Sequence, residues 1–123
     1  MDIVEIFKKS RHLSFSDLEA VAAKYVRETV FKVLFSRGGV APLTGSALKS
    51  GKKYDIYLSD DLEDNSEEQV EVFVHELLHV WLFEECKVGH RDEYESEIRA
   101  SAVKLASTYS TRLQALLDKY LVK

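Results

Sequence analysis

The chain has 123 residues, 46% of them hydrophobic, a net charge of −4 and a single cysteine, Cys86. That length is one domain, 1–123, with enough apolar side chains for a core. Scattered basic residues on an acidic chain leave no electrostatic footprint for nucleic acid. One cysteine excludes an internal disulfide and a Cys-rich zinc ribbon, and it fits a reducing compartment.

The first residues, Met1 to Lys9, lack the basic-then-apolar order of a signal peptide. Ile3, Ile6 and Phe7 suit a short amphipathic helix. Ser16-Asp17-Leu18-Glu19 has a capping-box pattern, followed at helical spacing by Val21, Ala22, Tyr25 and Val26. That helix is expected to end near Arg27. Thr29 to Phe35, rich in β-branched and aromatic residues, reads as a strand, with a helix running through to Phe35 as the competing assignment. Gly38-Gly39 breaks the chain. Val40 to Lys53, with Pro42, Gly45 and Gly51, reads as loop with room for one short strand. Tyr54 to Ser59 alternates as a strand does.

Asn65-Ser66-Glu67-Glu68 is a helix start: a capping side chain, then acids that suit the helix dipole. The helix runs from about Glu67 to Glu85 and is apolar almost all round between Val70 and Phe83, which is the mark of a buried helix. It is too short and too polar at its centre to span a bilayer, and a cytoplasmic protein without membrane partners is expected. Gly89 is the expected positive-φ residue of the following turn. A second helix starts near Arg91 or Asp92 and its spacing continues to the C-terminus, with a bend or break between Ser107 and Thr111 left open.

The buried helix carries His75-Glu76-Leu77-Leu78-His79, an H-E-x-x-H string. Residues four apart share a helix face, so both imidazoles can turn to one metal ion. Glu76 sits about 100° around the helix, where its carboxylate reaches a metal-held water rather than the metal. The competing explanation is coincidence, with the three polar groups satisfying one another in the core. Burying them unpaired is costly.

A catalytic zinc takes three protein ligands and leaves one position open. His90, Glu93, Glu95 and Glu97 are the candidates. Counting back along an antiparallel helix that begins near Arg91 puts Glu97 level with His79, Glu93 one turn nearer the connection and Glu95 on a different side. Small residues at Ala100 and Ala102 favour close helix packing. His90 is the rival third ligand, and otherwise a candidate oxyanion donor. Tyr54, Tyr57, Tyr94 and Arg99 complete that pool. His12 has no partner pattern, and Cys86 reads as a packing residue rather than a nucleophile.

With these residues in place, Tyr54 to about Ala106 resembles the zincin metallopeptidases. It is most similar to the gluzincins, including ImmA/IrrE-type and membrane-protease-type families, in which E-x-x-A supplies the third ligand. The string here is Glu97-Ile98-Arg99-Ala100, followed by Ser101 where those families carry Asp or Asn. Asp55 to Leu58 resembles the zincin edge that binds an extended peptide by strand addition. A second resemblance is to SprT-like proteases, through His90 and Tyr94, without their zinc ribbon or basic tail.

The resemblance implies an α+β zincin-like fold: an N-terminal helix, a small twisted sheet, the zinc helix and a C-terminal helical segment. It implies a zinc-dependent metallopeptidase acting on peptide or protein substrates, with His75, His79 and Glu97 as ligands and Glu76 as general base. The alternatives are a zinc-stabilised regulatory or interaction module with little proteolysis, and a SprT-like DNA-associated protease.

Overall fold

The computed structural model describes residues 2–34 and 43–122. The expected break at Gly38-Gly39, Pro42 and the end of the strand at Phe35 lie outside them. Helices α1 (Ile3–Arg11) and α2 (Phe15–Tyr25) lead into strand β1 (Val26–Lys32). Strands β2 (Gly45–Ser50) and β3 (Lys53–Ser59) precede the long helix α3 (Ser66–Glu84). Helices α4 (Glu95–Thr108) and α5 (Ser110–Tyr120) close the chain. The architecture is α+β.

Helix α2 is capped two residues earlier than the sequence pattern suggests. The Ser14 hydroxyl accepts from the Asp17 amide, and the Asp17 carboxylate accepts from the Ser14 amide. The reciprocal bonds satisfy two donors that a helix start leaves free. The strand assignment beyond this helix stands, but β1 begins at Val26, immediately after α2. The expected cap of α3 is present: the Asn65 side-chain Oδ1 accepts from the Glu68 amide at 3.1 Å.

The three-stranded sheet has the order β1-β3-β2. β1 runs parallel to β3, and β2 is antiparallel to it. The single short strand allowed for in 40–53 is therefore a six-residue hairpin arm. Gly51, at φ 65°, makes the two-residue turn into β3. Because β3 is central, it offers no free edge for strand addition. This corrects the expectation of an edge at Asp55–Leu58: among the described residues the strand at the edge beside β3 is β2. The outer side of β1 is partly occupied by the C-terminus, where the Val122 amide donates to the Thr29 carbonyl.

Helix α3 is the centre of the core, as its all-round apolar pattern requires. Phe73, Val74 and Leu77 are fully buried, with Ile56 and Leu58 of β3 and Leu113 and Leu117 of α5 buried in the same cluster. Phe83 is the exception on α3, half exposed near its end. The connection from α3 to α4 is longer than a tight helical hairpin. Lys87, not Gly89, takes the positive φ, at 58°. A single 3-10 turn at Asp92–Tyr94 then precedes Glu95, the first residue of α4. The long C-terminal pattern breaks at Tyr109, which ends α4 and starts α5. Among the described residues no helix is long and apolar enough to cross a membrane.

Candidate metal centre

Helix geometry brings His75 and His79 together as their spacing demands: their Nε2 atoms are 3.2 Å apart. The third member of the group is Glu95. Its Oε2 lies 2.9 Å from His75 Nε2 and its Oε1 2.9 Å from His79 Nε2. These three residues, all half-buried, form a group able to hold a metal ion.

The spacing suits that use. Two ligand atoms at ~2.0–2.1 Å from a tetrahedral zinc stand about 3.3 Å apart, close to the 3.2 Å between the two imidazole nitrogens, and one ligand atom from each of the three residues lies within 4.8 Å of the others. Two imidazoles and one carboxylate also match the donor set that zinc takes when it keeps an open position. Two ring nitrogens turned toward each other and toward one carboxylate are an arrangement that a shared cation satisfies.

Glu97, the expected third ligand, is not part of the group. The connection before α4 is mostly coil, which advances further per residue than a helix, so the chain is back level with the histidines by Glu95, two residues earlier than the helical count gives. Glu97 then falls about 200° around the helix from Glu95. It faces α1 instead, and pairs with Arg11. The E-x-x-A string at 97–100 therefore does not mark the acid beside the histidines. Ala102 is buried as expected of a close helix contact, whereas Ala100 is exposed. Ser101 is fully buried and bonds Ser10 of α1 at 2.7 Å, so this stretch anchors α4 to α1. Glu93 is exposed and paired with Arg91.

His90 is not among the three grouped residues, but it touches the group. Its Nε2 lies 2.9 Å from Glu95 Oε1, the oxygen that also faces His79. One carboxylate thus meets three imidazoles, one of them from the coil between α3 and α4.

Glu76 is buried, has no hydrogen-bond partner among the described residues, and lines the same cleft as the histidines. Burial, reinforced by the charge of Glu95, pushes its carboxyl up to about 8. Burial acts in the opposite sense on the cations. The His75 imidazole is held below its usual value, and His79 is pushed down to about 4 against the pull of Glu95. Both rings are therefore neutral at pH 7, the form that binds a metal. Glu95 is held below the usual carboxylate value, because the attraction of His79 and His75 and the bonds from His90 and His75 outweigh its own desolvation, the largest single influence.

The remaining candidates separate by position. Tyr54, Tyr94 and Arg99 line the cleft; Tyr57 does not. The Tyr54 hydroxyl is committed to Glu84 at 3.0 Å, and Lys32 lies over the Tyr57 ring. Tyr94 packs edge-on against Phe7. His12 is exposed beside Lys104, and Cys86 is half-buried.

One wall of the cleft is strand β2. Among the described residues it pairs with β3 along one side only, and Gly45, Ser46 and Ala47 line the cleft near Glu76. No motif in the sequence marks Gly45, which stands in a stretch whose glycines and proline read as loop.

No protein-family model matches this chain, and no curated protein or solved structure matches it. The class defined by fold and site is thus an α+β protein with a His-His-Glu group suited to a metal ion.

Proposed function

We propose that this chain is a small zinc-dependent metallopeptidase of the gluzincin kind, with His75, His79 and Glu95 as ligands and Glu76 as general base. The convergence of both Nε2 atoms and the Glu95 carboxylate within 3.2 Å of one another carries the proposal. When bound, zinc supplies Lewis acidity and brings the pKa of a water to ~7.

The protein's own residues supply the rest. Glu76, adjacent to His75 and without another partner among the described residues, accepts the proton of the attacking water and returns it to the leaving amine. A nearby cation favours its ionised form and so opposes the upward pull of burial. The edge of β2, unpaired among the described residues, holds an extended peptide across the cleft by backbone hydrogen bonds. The substrate is accordingly a peptide in strand conformation.

A second reading has one specific observation in its favour. If His90 swung the short distance from Glu95 to the metal, the fourth position would be closed, and closed sites are structural. The chain would then be a zinc-stabilised module.

The test is turnover of a quenched fluorescent peptide library by the zinc-loaded protein and by Glu76→Gln. The proposal expects equal metal content and a turnover loss of about 100-fold or more in the variant. Zinc-loaded wild-type protein that cleaves nothing, or a variant as active as wild type, overturns it.

A further inference from the structure

We propose that Arg99 binds a carboxylate of the substrate, on the side of the metal group that the residues following the scissile bond occupy. This rests on the metallopeptidase reading above.

Arg99 lies one helical turn beyond Glu95, so the two share a face of α4, and both line the cleft. The other described arginines are engaged. Arg11 pairs with Glu97, Arg27 with Asp55 and Arg91 with Glu93, while Arg112 lies 4.1 Å over the Phe15 ring. Arg99 has no carboxylate at ion-pairing distance and no aromatic partner among the described residues. It is exposed to the cleft with its donor fork free, the geometry that takes a carboxylate bidentately.

Its position along the cleft follows from its neighbours. The chain after α3 runs back alongside it: the Val88 amide bonds the Leu82 carbonyl, the His90 ring stands 5.3 Å from that of His79, and Glu95 reaches His75. Arg99, one turn further, therefore lies toward the start of α3, where Glu71 stands one turn before His75. Glu71 also lines the cleft, and no ion pair joins it to Arg99. The guanidinium is therefore not neutralised from the opposite wall.

The direction of the substrate follows from β2. Its first residue, Gly45, lies against Val72 and Glu76; Lys49, near its end, bonds Glu84 at 2.6 Å. The strand therefore runs alongside α3 in the same direction. A peptide adding antiparallel, the slightly more stable pairing, runs the other way. Its N-terminal part lies near Phe83 and its C-terminal part near Gly45. Residues after the scissile bond thus extend toward the Arg99 end. The carboxylate comes either from a free C-terminus or from an Asp or Glu side chain in that stretch.

Two pairs of peptidyl hydroxamates test this, each with the metal-binding group first and the residues following it. The first pair is hydroxamate–succinyl–Leu–Ala as free acid and as amide. The second is hydroxamate–succinyl–Leu–Glu amide and its Gln counterpart. Dissociation constants are measured by calorimetry on zinc-loaded wild type, Arg99→Gln and Arg99→Lys, with zinc content checked in each. In at least one pair the carboxylate member is expected to bind wild type about 10-fold more tightly or better. That gap is expected to collapse to under about 2-fold in Arg99→Gln and to survive in part in Arg99→Lys, which keeps the charge but not the fork. The pair that shows the gap identifies the source of the carboxylate. If all four ligands bind wild type equally, or the gap persists in Arg99→Gln, the assignment of Arg99 is overturned and the metallopeptidase reading stands. If no hydroxamate binds the zinc-loaded protein, that reading fails and takes this inference with it.

Discussion

Gly45 and Glu76 are in contact across the junction of β2 and α3. A Cβ placed on Gly45 would stand 3.3 Å from Glu76 Oε2 and only 2.5 Å from Val72 Cγ1. The strand edge and the proposed general base can approach this closely because residue 45 has no side chain. The glycine is thus required by space rather than by backbone conformation.

Gly45→Ala is therefore expected to push β2 off α3. Forcing a methyl into a packed junction costs about 1–3 kcal/mol, measurable as a lower urea midpoint with unchanged slope. Peptide cleavage should fall further than stability, because the edge proposed to hold substrate moves with the strand. Adding Val72→Ala removes the closest clash and should recover most of the stability; an additive loss in the double variant would show that the contact is not the cause.

Glu95 and Glu97 are expected to behave oppositely. Glu95→Gln removes a ligand and should weaken zinc binding by at least about 100-fold, beyond the usual cost of losing an outer partner. Glu97→Ala should leave zinc affinity unchanged. It breaks only the half-exposed pair with Arg11, a loss of about 1 kcal/mol or less. Competition with a chromogenic chelator measures both. Full zinc affinity in Glu95→Gln would remove it from the ligand set.

The contrast between these two glutamates marks where the sequence stops being legible. His75, Glu76 and His79 are fixed by local helix geometry, so their relation is visible in five residues. The third acid depends on how ten residues, 85–94, travel between two helices. A left-handed Lys87 and a 3-10 turn set that length, and neither has a distinctive residue type. Helical spacing between α3 and α4 was readable; the register between them was not. The same limit explains β2. Glycine at both ends made it read as loop, whereas one glycine turns the hairpin and the other admits Glu76.

Tyr54 gives a prediction in pH. Burial first, then its bond to Glu84, pushes its hydroxyl up to about 12 from 10.0. Between those values the folded protein keeps a proton that the unfolded chain has released, so stability falls as pH rises from 10 to 12. Below pH 10 this contribution is constant. Absorbance titration at 295 nm should show a late phase near pH 12 from Tyr54. Tyr54→Phe should abolish the late phase and flatten the alkaline loss of stability. A late phase that survives the substitution belongs to another tyrosine.

His90 distinguishes an open site from a closed one. It bonds the same Glu95 oxygen that faces His79, and it does so from the exposed coil between α3 and α4. As a positioning residue it orients the carboxylate, and His90→Ala should weaken zinc binding only about 10-fold, the lower range for outer-shell partners. Cobalt-substituted wild type and variant should then give the same visible spectrum, since the set of ligating atoms is unchanged. Catalysis should fall in kcat with little change in KM, because Glu95 is displaced while the β2 edge is not. If His90 instead fills the fourth position, the variant should lose affinity by about 100-fold or more, and its cobalt spectrum should shift as water replaces an imidazole. A second substitution, His90→Gln, separates the two further: an amide can still donate to Glu95 and should restore the positioning role, but it is a poor replacement for a nitrogen ligand.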